Sequence, residues 1–291
     1  TYSLFEKQPG ELADFLKSGT FTGLNVTIPY KKAVIPYLTE LSPTAAKMGA
    51  VNTIVRRSDG SLIGHNTDYF GFRTMVLASS LSVSQKKCLV LGSGGASNTA
   101  VAVLEEMGAN VVVISRNGEN NYNNISQHND AAVIVNATPV GMYPKVGVSP
   151  VDLDLFPKLE GVLDLIFNPA RTQILLDAQM RGIVAMNGLL MLVAQAKESA
   201  EWFTGTTIDN SRILEIYRTL KSSMENIVLI GMPGSGKSTV GAALAKALNR
   251  TFVDADEEIV KHAGMSIPEI FIIQGEIGFR QLETEVLAEL G

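Results

Sequence analysis

Cys88-Leu89-Val90-Leu91 runs without a break into Gly92-Ser93-Gly94-Gly95-Ala96-Ser97, and Thr99 to Met107 beyond it are good helix formers. An apolar strand, a glycine-rich turn and a helix in that order make the phosphate-binding corner of a dinucleotide fold. Gly92 permits the tight turn, Gly94 lets the backbone approach a pyrophosphate, and the first helical N–H groups are left free to bind it. A lone Gly-x-Gly also fits a plain strand-turn-helix, and Ser97 stands where the motif has its third glycine. The neighbouring segments favour the dinucleotide reading. Val111 to Ser115, Ala132 to Asn136 and Val162 to Leu165 are further short apolar runs, and helix-like sequence separates at least the first pair of strands. That alternation predicts a parallel sheet covered on both faces.

The tip of the second strand selects the coenzyme. A site for NAD places Asp or Glu there to accept from the ribose 2′-hydroxyl. Here the tip reads Ser115-Arg116-Asn117. A guanidinium offers a fork of N–H donors to a phosphate, so the choice falls on NADP. A solvated arginine would leave the missing carboxylate without a reason.

Outward from this corner, residues 1–74 alternate short strands with helices. Tyr2-Ser3-Leu4-Phe5 is strand-like, and Pro9-Gly10-Glu11-Leu12 opens a helix toward Lys17. Gly23 to Pro29 reads as a strand stopped by proline, which cannot donate to a ladder. Ala50 to Arg56 and Leu62 to Asn66 flank Ser58-Asp59-Gly60-Ser61, the composition of a hairpin turn. Downstream, Leu189 to Thr219 has a helical pattern and Lys221-Ser222-Ser223 suits a linker. Asn226 to Ile230 then reads as a strand leading into Gly231-Met232-Pro233-Gly234-Ser235-Gly236-Lys237-Ser238. This is a complete P-loop. Backbone N–H groups around Gly231, Gly234, Ser235 and Gly236, with Thr239 alongside, cradle phosphates; Lys237 reaches the β and γ groups; Ser238 holds Mg²⁺. The chain thus carries two nucleotide cradles, one for a dinucleotide and one for ATP.

The 291 residues suit about two domains, at roughly 150 residues each. Hydrophobic residues at 46% and charged residues at 18% describe a globular chain with large cores. A net charge of −5 argues against a nucleic-acid partner. The single cysteine, Cys88, has no internal disulfide partner and suits a reducing, cytoplasmic setting as a buried core residue. The longest apolar stretch, Leu189 to Ala194, is far short of the roughly 18 residues of a membrane span. No leader precedes Tyr2, and a start without Met leads us to expect a missing N-terminus. His65, His128 and His262 are scattered, with no zinc-like spacing. A structural role is expected for His65 and core packing for Trp202. Glu105, Glu106, Glu257 and Glu258 read as solvated helix faces.

Hydride transfer to a carbonyl needs a proton donor beside it, and Lys31 and Asp68 both follow strand ends. On spacing alone, a structural or solvated role suits each better. The wording around them is more specific. Asn25-Val26-Thr27-Ile28-Pro29-Tyr30-Lys31, Gly49-Ala50-Val51-Asn52-Thr53 and Asn66-Thr67-Asp68-Tyr69-Phe70-Gly71-Phe72 resemble shikimate dehydrogenase in order and wording. So do Gly92 to Ser97, Asn136-Ala137-Thr138-Pro139-Val140-Gly141-Met142, and Gly188 through Met191-Leu192-Val193-Ala194-Gln195-Ala196, so that the likeness spans residues 2–220. The resemblance implies NADPH-dependent, reversible reduction of 3-dehydroshikimate to shikimate. By it, Lys31 and Asp68 are the catalytic pair, Thr27, Asn52, Asp68 and Gln195 contact substrate, and Ala137, Thr138, Leu165 and Gly188 line the nicotinamide. Phe167 stands where the family often has a substrate-touching tyrosine. The family's opening strand and serine-rich loop do not appear, which implies weak shikimate binding with NADP affinity kept.

Residues 226–290 resemble the first third of shikimate kinase through the P-loop, Asp254-Ala255-Asp256, Ser266-Ile267-Pro268-Glu269 and Gly275-Glu276-Ile277-Gly278-Phe279-Arg280. This likeness puts Asp254 near the metal, Asp256 on the acceptor's hydroxyls and Arg280 on its carboxylate. The rest of the sheet and the lid are missing, so no kinase turnover is expected from these residues alone. The expected fold class is α/β throughout: a substrate domain (1–76), a Rossmann NADP domain whose last helices close back on it (77–222), and the start of a P-loop kinase domain (223–291). A non-catalytic module sensing NADP or shikimate is the rival reading. A homodimer is the assembly kept open.

Overall fold

Strand β5 (Lys87–Leu91) lies inside the larger of two sheets, one strand from its edge, in a computed structural model that describes residues 2–232 and 234–290. With β6 (Asn110–Ile114), β7 (Val133–Asn136), β8 (Gly161–Asp164) and β9 (Val184–Met186) it forms a wholly parallel sheet of order β6-β5-β7-β8-β9. The order reverses between β5 and β7, and the crevice beyond the carboxyl ends of those strands is where such sheets bind nucleotides. Side chains along β5 alternate between two cores. Cys88 and Val90 pack with Phe72, Met75, Val103 and Leu104 on one face, while Leu89 and Leu91 pack with Ile134, Phe156, Ile174 and Leu175 on the other. Burial on both faces is why these strands read as continuous apolar runs. Helices α4 (Gly95–Glu106) and α5 (Gln173–Met180) connect strands of this sheet. At three residues β9 is too short to leave a pattern, and the sequence reading missed it.

The smaller sheet has the order β1-β3-β4-β2, with β1 (Gly23–Asn25), β2 (Glu40–Leu41), β3 (Thr53–Arg56) and β4 (Leu62–His65). β3 and β4 form the expected antiparallel hairpin, with Thr53 opposite His65 and Arg56 opposite Leu62. Its core gathers Leu16 of helix α1 (Leu12–Ser18), Val34, Ala45, Val51, Ile54 and Leu62. Helix α2 (Pro43–Met48) is delimited by its sequence: the Ser42 hydroxyl accepts from Ala45 N at 3.2 Å, Pro43 occupies the first turn, and Gly49 ends it in the left-handed region. Tyr2 to Phe5 form no strand; no neighbouring strand receives them, and the Phe5 ring rests on Phe15 at 5.2 Å.

Helix α3 (Asp68–Ala78) packs along α6 (Leu189–Thr204), joining the two sheets into one compact unit, Thr1–Ser222. The expected helix from Leu189 to Thr219 is two helices. Gly205 ends α6 at φ 65°, the Glu201 carboxylate accepts from Ile208 N at 2.7 Å, and α7 (Ser211–Met224) follows. The expected linker at Lys221 to Ser223 is helical, since it holds no glycine or proline to stop α7.

The second unit, Ser223–Gly291, contains α8 (Lys237–Leu248), α9 (Ala255–Ala263) and α10 (Ile267–Leu290), the last broken at Gly275 (φ 70°, ψ −177°). A small core of Ile259, Ile270 and Val286 ties α9 to α10. Its described residues contain no strand. Asn226 to Ile230 departs from the strand reading, because a strand needs a hydrogen-bonded neighbour and it has none among the described residues. Ile227, Val228 and Ile230 are accordingly exposed. Among the described residues no helix is long and apolar enough to cross a membrane.

Candidate active site

Lys31 and Asp68 meet. The Lys31 Nζ lies 2.5 Å from Asp68 Oδ2, in a pair whose side chains are 25% and 13% exposed. The backbone explains why residues 37 positions apart come together. Val51 N, leading into β3, donates to Lys31 O at 2.8 Å, which holds the lysine segment beside the hairpin. Asp68 is the first residue of α3, where a carboxylate is favoured by the helix dipole. The turn before it is fixed by Asn52, whose Oδ1 accepts from Thr67 N at 2.9 Å. Gln195 arrives from the other side on α6, with Oε1 accepting from Thr67 Oγ1 at 3.4 Å. Gly71 permits this closeness: a Cβ there would stand 2.7 Å from Met191 O and 3.1 Å from Gln195 Cβ. Thr27 lies near the lysine segment and is exposed, its carbonyl accepting from Tyr30 N at 2.9 Å. Asn52 and Gln195 are thus joined through Thr67, the residue before Asp68, which in turn holds Lys31.

The coenzyme corner has the expected shape. Gly92 adopts φ 107°, a conformation open mainly to glycine, and its N donates to Ile114 O at 2.8 Å. That bond sets the end of β6, and with it Ser115, Arg116 and Asn117, beside the glycine turn. A Cβ at Gly94 or Gly95 would meet nothing within 4 Å, so space remains above the backbone at the start of α4. Ala96 and Ser97 complete the first turn, whose N–H groups have no helical acceptor. An open cradle, first-turn N–H donors and an arginine at the neighbouring strand end fit a phosphorylated dinucleotide. The Ser97 hydroxyl donates to Gly92 O at 2.7 Å, so its proton is spent inside the turn.

Beneath Ala137 and Thr138 lies a network that the sequence reading missed. Asn136 Oδ1 accepts from Thr138 Oγ1 at 2.6 Å and from Thr138 N at 3.1 Å, while its Nδ2 donates to Asp164 Oδ1 at 3.1 Å. Thr172 Oγ1 donates to Asp164 Oδ2 at 2.5 Å. Asp164 is fully buried; desolvation pushes its carboxyl up to about 6, opposed by the bonds from Thr172, Ile166 and Asn136. A carboxylate inside an apolar strand was the signal available for it. Leu165 follows directly, its N donating to Asn136 O at 3.0 Å, and Gly188 N donates to Ile166 O at 3.0 Å. Phe167, 39% exposed, continues this strand end.

Comparison with known proteins decides the family. A shikimate dehydrogenase (NADP(+)) of Clostridium perfringens is 33% identical over 237 residues, which cover 76% of this chain and 87% of that protein. The chain belongs to the shikimate dehydrogenase family. The family model for the shikimate dehydrogenase substrate binding domain matches residues 1–54. The solved chorismate mutase/shikimate 5-dehydrogenase fusion protein of Clostridium acetobutylicum is 38% identical with a TM-score of 0.72, covering 76% of this chain and 86% of that one. The shikimate 5-dehydrogenase of Thermus thermophilus, solved with NADP(H) and shikimate, is 32% identical with a TM-score of 0.63, covering 72% and 83%.

Elsewhere in this shikimate dehydrogenase homologue, His65 stacks on Trp202 at 3.7 Å, and burial lowers its pKa to about 4, so it is neutral at pH 7. Trp202 is 46% exposed and covers the histidine from outside; it is not core. In the second unit the shikimate kinase family model matches residues 233–291. Gly234 and Gly236 have φ of 77° and 85°, and Lys237 Nζ folds back onto Gly231 O at 2.8 Å and Met232 O at 3.0 Å. Pro233 lies outside the described residues. Ser235 and Thr239 are exposed beside the loop, and Ser238 Oγ donates to Asp254 Oδ2 at 2.8 Å, a hydroxyl–carboxylate pair suited to Mg²⁺. Asp256 and Arg280 are exposed, and Arg280 pairs with Glu276 on its own helix at 2.7 Å; the two expected acceptor-binding residues are not joined by a contact among the described residues.

Proposed function

We propose that the chain catalyses the reversible NADP-dependent reduction of 3-dehydroshikimate to shikimate, with residues 1–76 as its substrate domain and 77–222 as its coenzyme domain. The Lys31–Asp68 contact of 2.5 Å carries this reading. NADPH, when bound, supplies the hydride. Lys31 donates a proton to the carbonyl oxygen as negative charge develops there, and Asp68 holds the ammonium in place and balances its charge. Asn52 and Gln195 orient the ring oxygens, with Thr27 and Phe167 at the rim. The first turn of α4 takes the pyrophosphate, Arg116 with Ser115 and Asn117 takes the ribose phosphate, and Ala137, Thr138, Leu165 and Gly188 flank the nicotinamide.

The reading is tested by coenzyme choice. Shikimate-dependent reduction of NADP should exceed that of NAD, and Arg116→Glu should lower NADP affinity by about 10- to 100-fold through loss of a charge-assisted contact. Equal use of both coenzymes by the wild type, or unaltered NADP affinity in the variant, would contradict it.

Residues 223–291 suit a second activity, ATP- and Mg²⁺-dependent phosphorylation of shikimate at its 3-hydroxyl. The family match over 233–291 and the Ser238–Asp254 pair beside a glycine loop support it. Calorimetry with ATP and Mg²⁺ should show Lys237→Ala binding at least about tenfold more weakly, since the lysine is the charge that reaches the terminal phosphates. Equal affinity of variant and wild type would count against a nucleotide site.

A further inference from the structure

Behind the substrate-facing amides lies a buried array of hydroxyls to which neither the resemblance nor the proposed chemistry gives a role. Ser199, one helical turn beyond Gln195 on α6, is 1% exposed. Its Oγ lies 2.8 Å from Thr53 Oγ1, 3.0 Å from Thr67 Oγ1 and 3.1 Å from Asn25 Nδ2. Thr53 and Thr67 are wholly buried, and both reach Asn52.

Counting protons gives the array a direction. Each hydroxyl has one proton to donate, and Asn25 Nδ2 can only donate, so Ser199 accepts from Asn25. Ser199 then gives its own proton to a threonine oxygen. With Ser199 donating to Thr53, the Thr53 proton goes to Asn52 Oδ1 at 3.1 Å, which with Thr67 N fills both lone pairs of that oxygen, so the Thr67 proton, 3.2 Å from the same oxygen, is left for Gln195 Oε1 at 3.4 Å. Thr67 N also points at Asn52 Oδ1, so a flipped Asn52 amide would set donor against donor. Both amide oxygens are therefore held inward. Asn52 Nδ2 spends one proton on Thr67 Oγ1 at 3.0 Å, and Gln195 Nε2 spends one on Leu192 O at 3.0 Å. One N–H of each amide remains for a ligand.

We infer that Ser199 is a positioning residue that sets the orientation of the Asn52 and Gln195 amides, so that the site presents N–H donors and selects substrates with oxygen acceptors at those two places. This rests on the dehydrogenase reading for its substrate and on the buried array for its geometry. Without the Ser199 hydroxyl, Thr53 and Thr67 are free to turn toward one another across 3.5 Å and release the amide oxygens.

The full chain carrying Ser199→Ala should show a KM for shikimate raised about fivefold, the loss of roughly one net hydrogen bond, with kcat and the KM for NADP little altered. The near-isosteric Thr53→Val should reproduce that split. The double variant should be no worse than the poorer single one, since both cut the same chain of bonds. The side-chain amide resonances of Asn52 and Gln195 in a nitrogen–proton spectrum of the free protein should shift in each variant while backbone signals of the dinucleotide sheet stay in place. Unchanged amide resonances, an unchanged KM for shikimate, or additive losses would overturn the proposal. A wild type without shikimate-dependent NADP reduction would instead remove the dehydrogenase reading, and the amide spectrum would still decide the role of Ser199.

Discussion

Lys31→Ala is expected to lower kcat for shikimate oxidation by about 10²- to 10⁴-fold, the range attributed to a positioned general acid or base. NADP affinity should stay unchanged, because Arg116 and the first turn of α4 lie on other elements. The alanine variant also leaves Asp68 without its cation at a site where that carboxylate is only 13% exposed. Some stability is therefore lost with the activity. Lys31→Arg separates the two effects. Arginine keeps a positive charge opposite Asp68, so the fold should recover, yet a guanidinium holds its protons too tightly to pass one to an alkoxide. Turnover should remain low in both variants. A Lys31→Arg protein with near-normal kcat would show that Lys31 contributes charge alone. A module that only binds NADP or shikimate would lose little in either case.

Gly188→Ala is expected to be the most damaging single methyl group in the first unit. The added Cβ would stand 2.2 Å from Leu165 O and 2.6 Å from Leu165 C, both backbone atoms that cannot swing aside. Gly188 precedes α6 and bonds to Ile166 O, so relief requires the start of the helix to move away from the end of β8. Overpacking of this kind costs about 3 kcal/mol or somewhat more, and for a unit of this size that lowers Tm by roughly 6–12 °C. The displacement also separates Leu165, beside the proposed nicotinamide position, from the helix that carries Gln195. Calorimetric unfolding and a KM for NADP measured together would check it; a variant with wild-type Tm would show that the two segments can part freely.

Much of the first unit could be read from residue order. Leu89 and Leu91 facing one core and Cys88 and Val90 the other made an unbroken apolar run, and such a run ending in a glycine-rich turn has few alternatives. The hairpin at Ser58 to Ser61 was legible because turn chemistry is local. What escaped was set by distant partners. β2 and β9 are two and three residues long and exist only because β4 and β8 offer edges. The strand expected at Asn226 to Ile230 has the composition but, among the described residues, no neighbour to pair with. The motifs pointed to Lys31 and Asp68 and to the amides, whereas Ser199, Thr53, Asp164 and Thr172 act from behind them through bonds that span up to 174 positions in the chain.

The lone thiol has a use that its burial creates. Cys88 is inaccessible on β5, between β6 and β7, and desolvation raises its pKa to about 11, so at neutral pH it is neither reachable nor ionised. Alkylating reagents will react only with molecules in which β5 has come away from its neighbours, so the labelling rate of this one sulfur clocks the rarest openings of the nucleotide-binding half without any introduced probe.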